Sequence, residues 1–137
     1  MKKILTLIVL FASIVIPVIF TNAYAQNISA DEAAINAVLD DFHDAAANAD
    51  VERYLGNMTD DAVFIGTDEH ERWPMHSDFI DYVNDRFAAG GWSYYSVNKE
   101  ISFSRDGNVA WFDETSISNN SGAHLRGSGV VEKINGK

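Results

Sequence analysis

Residues 94–134 read YYSVNKEISFSRDGNVAWFDETSISNNSGAHLRGSGVVEKI, and apolar and polar side chains alternate along most of this stretch. An alternation with a period of two indicates β-strands, because successive side chains of a strand point to opposite faces of the sheet. Asp106-Gly107 is a strong hairpin signal, and residues 119–122 form a second polar turn. We therefore predict three antiparallel strands at residues 94–104, 109–118 and 123–134.

The turn at residues 119–122 sets the register between the second and third of these strands. A loop of two or four residues gives the same cross-strand pairs, which are Trp111 with Val130, Asp113 with Ser128 and Thr115 with Arg126. Alternation then places five side chains on one face of the sheet, namely Trp111, Asp113, Thr115, Arg126 and Ser128. An Asp and an Arg at this separation can form a charge-assisted pair, either catalytic or purely structural.

The hairpin at Asp106-Gly107 leaves two registers open. A three-residue loop with Gly107 in a bulge sets Lys99 opposite Asp113, whereas a two-residue loop sets Glu100 there. We favour the bulge, because it gathers apolar side chains on one side of the sheet: Val97, Ile101, Phe103, Val109 and Trp111.

Three helices are predicted before this sheet. Ser29-Ala30-Asp31-Glu32 has the form of a capping box, which predicts the start of the first helix. The inward stripe of that helix follows at helical spacing, with Ile35, Val38, Leu39, Phe42, Ala45, Ala46 and Ala49. Asp50 is expected to cap a short second helix over residues 51–57, and residues 62–67 read as a buried strand. A third helix is expected from Ser77 to the Gly90-Gly91 stop, with Phe79, Ile80, Val83 and Phe87 inward.

Both ends of the chain carry recognisable signals. Lys2 and Lys3 precede an apolar run over residues 4–20, and Ala23-Tyr24-Ala25 has the small-x-small form of a cleavage site. We predict a signal peptide over residues 1–25 and a periplasmic or secreted domain over residues 26–137, the alternative being an uncleaved membrane anchor. At the other end, Asn135-Gly136 is a favoured hairpin turn, so we expect a C-terminally truncated domain whose last strand follows Lys137.

Composition narrows the function. The chain has 137 residues, a formal charge of −10 and no cysteine. The charge excludes a basic nucleic-acid binder, and the lack of cysteine excludes a disulfide scaffold, a thiolate zinc site and a cysteine nucleophile. The four histidines, at positions 43, 70, 76 and 124, have no metal-ligand spacing. We therefore predict no metal, no cofactor and no stable membrane association after cleavage of the signal peptide.

The order of helix, short helix, strand, helix and antiparallel sheet resembles the cone-shaped α+β fold of the nuclear transport factor 2 (NTF2-like) superfamily. Within it, the chain is similar to the SnoaL-like branch over roughly residues 30–137. The resemblance rests on residues 60–68 (DDAVFIGTD), 71–73 (ERW), 109–114 (VAWFDE) and 126–130 (RGSGV), with Phe42-His43 and Ala49-Asp50 in support. The resemblance implies three helices packed on a curved antiparallel sheet around a conical pocket, and relatives often dimerise through the outer sheet face.

Two departures limit the functions that the resemblance implies. The tyrosine that donates to the oxyanion in the steroid isomerases of this superfamily falls at Phe42, and their general-base aspartate falls near Gly66. Neither residue can do that work, so a steroid isomerase is not expected. Asp113 and Arg126 could match two members of the Asp–Arg–Asp set of the fold's epoxide hydrolases.

Three functions stay open at this point. The first is binding of a small, largely apolar molecule in the pocket, with Trp73, Trp111, Tyr54 and Ser128 as ligand-binding residues. The second is an acid/base enzyme (isomerase, dehydratase or epoxide hydrolase) with catalytic residues Asp113, Arg126 and His43. The third is a non-catalytic module that forms a homodimer. His43 could equally be a packing residue, Tyr54 a core aromatic and Trp73 a cap on the core.

Overall fold

The computed structural model describes the backbone of residues 12–66, 68–75 and 77–136. The elements in chain order are α1 (Ala12–Ala47), α2 (Val51–Gly56), β1 (Val63–Ile65), β2 (Arg72–Pro74), α3 (Ser77–Ala88), β3 (Tyr94–Phe103), β4 (Val109–Ser118) and β5 (His124–Glu132). Helices followed by an antiparallel sheet confirm the predicted α+β class. The chain divides into two compact units between Ala34 and Ile35, and the core and both sheets belong to the second unit.

The first helix does not begin at the predicted capping box. Its backbone is helical from Ala12, through residues 29–32, to Ala47. A capping box acts only where the preceding residues leave the helix, because the amides that it would satisfy otherwise bond to carbonyls of the turn before. Residues 22–28 contain no Pro or Gly that would end the helix.

The predicted signal peptide is described only in part, because residues 1–11 lie outside the described residues. Across residues 12–66, 68–75 and 77–136, no helix combines the length and the apolar character needed to cross a bilayer. Export and cleavage after Ala25 stay predictions.

The core lies where the helices of the second unit meet. Its buried members are Ala45, Ala46, Tyr54, Phe79, Val83 and Phe87. The helical stripes therefore predicted most of it correctly, although Val38 and Ile80 are 41% and 37% exposed. Aromatic rings fill the remaining space, with Phe42 stacked on Tyr54 at 4.3 Å between ring centroids.

The junction between α1 and α2 follows the predicted capping. Ala49 adopts a left-handed conformation (φ 55°), which ends the helical path after Ala47. The Asp50 side chain then accepts a hydrogen bond from the backbone amide of Arg53 at 3.1 Å, so Asp50 is the N-cap of α2.

Two antiparallel sheets complete the unit. One is the hairpin of β1 and β2, in which Phe64 lies opposite Trp73; the strand at residues 72–74 was not predicted. The other has the strand order β3-β4-β5. Between β4 and β5 all three predicted pairs are present: Trp111 with Val130, Asp113 with Ser128 and Thr115 with Arg126.

The register between β3 and β4 is the alternative that we did not favour. Glu100 lies opposite Asp113, and Lys99 lies opposite Glu114. The backbone amide of Val109 donates a hydrogen bond to the Ser104 side-chain oxygen at 3.0 Å. Residues 105–108 form a four-residue loop, in which Gly107 has φ 72°. The register shift occurs instead at the other end of the hairpin, between Ser96 and Asn98.

The C-terminal turn has the backbone that its sequence predicts. Asn135 and Gly136 have φ values of 53° and 81°, and positive φ at two consecutive residues is the requirement of a type I′ hairpin turn. A strand after Lys137 lies outside the described residues and stays a prediction.

Gly91 lies just after α3 and packs against the last turn of α1. It has φ 66°, and a Cβ atom at this position would lie 2.4 Å from the backbone carbonyl oxygen of the buried Ala46. Both the backbone conformation and the space therefore require glycine at this position.

Replacement of Gly91 by alanine should destabilise the domain by about 1–3 kcal/mol, since it combines a left-handed backbone with a backbone clash. Gly107→Ala is the matched control, because Gly107 has a similar φ of 72° but nothing within 4 Å of its Cβ position. Urea denaturation of both variants measures the difference in unfolding free energy. Equal losses of unfolding free energy in Gly91→Ala and Gly107→Ala would show that the close approach to Ala46 contributes nothing.

Candidate functional site

An open pocket of about 650 Å³ lies between α1 and the beginning of β3. The α1 side consists of residues spaced three or four apart, which places them on one face of the helix: Asn36, Asp40, His43, Asp44 and Ala47. Residues 93–99 form the opposite wall, and Asn119 closes one end. Amide, hydroxyl and charged side chains dominate this lining, so the pocket is polar rather than apolar.

A histidine and a buried carboxylate meet at this pocket. His43 Nε2 lies 2.6 Å from Oε1 of Glu114, which projects from β4 toward α1. The His43 side chain is 16% exposed and that of Glu114 only 4% exposed. An ionised carboxylate in this position accepts a hydrogen bond from Nε2–H and thereby fixes the orientation and tautomer of the imidazole.

Two backbone features shape the surroundings of Glu114 on the face of the sheet that points toward α1. A Cβ atom at Gly127, its partner on β5, would lie 3.1 Å from Glu114 Oε1, so a larger residue would crowd the carboxylate. On β3, the register shift beside Val97 turns Ser96 to the same face as Lys99. Without that irregularity, alternation would place Ser96 and Lys99 on opposite faces.

The environment of Glu114 favours its ionised form. Burial raises the pKa of this carboxyl, but the hydrogen bond and charge of His43 lower it, and the nearby Ser96 hydroxyl and Lys99 ammonium act in the same direction. The net effect holds the pKa of Glu114 below its ordinary value. Within the described residues, Glu114 Oε2 and Ser96 Oγ are buried and make no hydrogen bond of good geometry.

Ion pairs connect the two walls of the pocket to each other and α1 to α2. Lys99 Nζ contacts Asp40 Oδ1 across the pocket. On the side of α1 that faces α2, Arg53 donates to Asp41 at 2.7 Å and to Asp44 at 2.6 Å. The hydrogen bond from Arg53, together with one from Asn57, lowers the pKa of the Asp41 carboxyl. The Arg53 network is partly exposed, and we assign it a structural role in joining the two helices.

The prediction that the sheet residues enter an enclosed pocket is wrong. Trp111 is 50% exposed, and Asp113, Arg126 and Ser128 are also exposed, whereas their neighbours Phe112 and Glu114 face the helices. The predicted face is correct as a set but lies on the outer side of the sheet. Both faces of β4 carry apolar and acidic residues, so alternation alone does not decide which one is covered. Dimerisation through this outer face stays a prediction.

Two of the three aromatic residues predicted to bind ligand, Tyr54 and Trp73, belong to the core. Tyr54 is fully buried, and burial raises the pKa of its hydroxyl. Trp73 packs on Tyr82 at 4.3 Å and Phe79 at 5.9 Å between ring centroids, so it caps the core and does not share a wall with Trp111. The alternative roles therefore apply: Tyr54 is a core aromatic, and Trp73 is a cap on the core.

His43 is the only member of the predicted site that lines the α1–β3 pocket. Its partner Glu114 and its neighbours Lys99 and Ser96 were not predicted as site residues. The sequence did contain a signal for Glu114. Gly127 and Gly129 occupy every second position of β5 and lie opposite Glu114 and Phe112. Glycines at every second position indicate that bulky side chains cross over that face of the strand. In the part of the chain that is described, no three His, Cys, Asp or Glu side chains are grouped as metal ligands.

The pKa shift of Glu114 predicts a pH dependence of stability. A carboxyl whose pKa is lower in the folded state stabilises the fold above its unfolded value, near 4.5, and loses that contribution as the pH falls through the folded-state value. Glu114→Gln should therefore cost about 1–3 kcal/mol at neutral pH, and less in acid.

Urea denaturation at pH 7 and at a pH well below 4.5 measures how the difference in unfolding free energy between wild type and variant narrows. Glu69→Gln is the control, because it removes an exposed histidine–glutamate contact of 3.4 Å in a loop. A constant gap between wild type and Glu114→Gln at both pH values would contradict an ionised Glu114.

Comparison with known proteins supports the fold. A structure described as an NTF2-like protein of unknown function, from Pseudomonas putida KT2440, matches with a TM-score of 0.67 and 11% identity over 80% of each chain. A "Putative calcium/calmodulin dependent protein kinase II association domain" from Xanthomonas campestris matches with a TM-score of 0.51 and 18% identity, over 76% of this chain and 78% of that one. At these identities the likeness establishes the fold alone.

No curated protein matches this sequence. Residues 35–137, which contain the core, both sheets and the α1–β3 pocket, match the SnoaL-like domain family. The chain therefore belongs to the SnoaL-like domain family, with an NTF2-like fold.

Proposed function

We propose that this domain binds a small polar molecule in the α1–β3 pocket and that His43 forms a hydrogen bond to it. The contact between His43 and the buried Glu114 carries the proposal. A volume of about 650 Å³ lies in the range of small-molecule sites. Burying a carboxylate is costly, and here the buried carboxylate orients a histidine that lines the pocket.

The polarity of the lining changes the class of ligand expected from the sequence. A largely apolar ligand requires apolar walls, but Asn36, Asp40 and Lys99 are among the side chains that border the cavity. Burying such groups against an apolar molecule without hydrogen bonds would cost free energy. A ligand that offers several hydrogen bonds fits this lining better.

Filling the pocket should abolish ligand binding without removing a polar contact. Ala47 lines the pocket, and the bulky side chain in Ala47→Trp would occupy its volume. A thermal-shift screen of small polar metabolites on the wild-type protein supplies the ligands, because binding to the folded state raises Tm. The rise in Tm should disappear in Ala47→Trp.

Ala88→Trp is the control, since Ala88 is an exposed residue of α3 away from the pocket. This variant should keep the full rise in Tm for each ligand. If ligands stabilise Ala47→Trp as much as Ala88→Trp, they bind elsewhere and the proposal is wrong.

A second candidate function is acid/base catalysis, and the His43–Glu114 contact again favours it. In a neutral imidazole whose Nε2–H is held by a carboxylate, Nδ1 is the basic atom. Such a base can remove a proton from a bound molecule, and the carboxylate then stabilises the imidazolium. Asp113 and Arg126 cannot assist in this pocket, because they lie on the outer face of the sheet.

Catalysis predicts exchange of hydrogen for deuterium in a bound ligand that carries an acidic C–H bond. In D₂O, the base would take the proton and return a deuteron, and ¹H NMR would follow the loss of the signal. His43→Gln should slow this exchange by about 10²–10⁴-fold. Exchange no faster than in buffer for every bound carbonyl compound would exclude the enzyme and leave binding as the function.

A further inference from the structure

Among the charged side chains that border the α1–β3 pocket, the carboxylates of Asp40 and Asp44 are far more exposed than the ammonium-bearing side chain of Lys99. Lys99 is 11% exposed and its ammonium contacts Asp40, whose side chain remains 71% exposed. Asp44 also borders the pocket; one of its oxygens binds Arg53, and its side chain is 57% exposed. The accessible charge at the rim is therefore negative.

The buried residues behind His43 and Lys99 have the same polarity. Lys99 lies opposite the buried Glu114 in the sheet, so its single positive charge faces two carboxylates, those of Asp40 and Glu114. Glu114 Oε2 has no hydrogen-bond donor of good geometry among the described residues. The neutral form of His43 adds an acceptor, because Nε2 is engaged by Glu114 and Nδ1 makes no hydrogen bond within the described chain.

Resting on the proposed function, we propose that the ligand of this pocket is a small polar amine that binds in its protonated form. A protonated amine brings three hydrogen-bond donors and a positive charge to a site of acceptors and carboxylates. A carboxylate ligand would meet Asp40 and Asp44 at the rim, where like charges repel. The charge of −10 on the whole chain also attracts cations and repels anions.

Three six-carbon polyols that differ at one end test the charge of the ligand: glucamine (cationic), sorbitol (neutral) and gluconate (anionic). Titration of the ¹⁵N-labelled protein with each probe near pH 8, followed by NMR shifts of residues 93–99 and of α1, measures the three affinities. We expect glucamine to bind about tenfold or more tightly than gluconate, with sorbitol between them. Tighter binding of sorbitol or gluconate would overturn the proposal of an amine ligand but would still support a polar binding pocket. No response to any probe at tens of millimolar would count against both proposals.

Asp40→Asn should reverse the order of the charged probes. The substitution removes a carboxylate from the rim and releases the ammonium of Lys99, so glucamine should weaken and gluconate should strengthen. Asp85→Asn is the control, because it changes the net charge equally at an exposed position of α3. If both variants shift the affinities alike, the preference comes from the overall charge and the site assignment is wrong.

Discussion

The contact between His43 and Glu114 is the constraint on which the site depends. It joins the first helix to the middle strand of the sheet through a carboxylate that is almost fully removed from water. Taking an ionised carboxylate out of water is unfavourable unless hydrogen bonds and opposite charge compensate for the loss of hydration. Here His43 and Lys99 provide that compensation, and the lowered pKa of Glu114 is its electrostatic consequence.

Several local features of the chain follow from accommodating this carboxylate. Gly127 leaves space beside it on β5, and the irregularity at residues 96–98 brings Ser96 and Lys99 to its face of β3. None of these features is needed for an ordinary apolar sheet face. They support the view that the polar group of Glu114, Ser96 and Lys99 is a specific feature of the fold rather than an accident of packing.

Membership of the SnoaL-like family limits the function less than the pocket does. The NTF2-like fold hosts unrelated activities, so the function of this chain depends on its own side chains. Phe42, which the family resemblance aligns with the tyrosine of the steroid isomerases, packs on Tyr54 in the core. The next residue of the same helix, His43, borders the cavity, which makes it the starting point for any chemistry.

Local sequence patterns were sufficient for most of the elements and for the register between β4 and β5, but not for the register between β3 and β4 or for strand β2. Alternation over residues 94–134 predicted three strands and the β4–β5 register, and helical spacing predicted the buried Phe79, Val83 and Phe87. These features depend on interactions between near neighbours or across one short turn, which the chain encodes directly.

The choice between the two faces of the sheet was decided only by the tertiary fold. Asp113 and Glu114 are adjacent acids, so one must point outward and the other inward, and the alternation is the same in either case. The helices cover the face that carries Glu114, because Phe112, Ala110 and the paired glycines pack there, while Trp111 remains outside. The pairing of Glu114 with His43, 71 residues earlier, is a long-range contact that no local pattern contains.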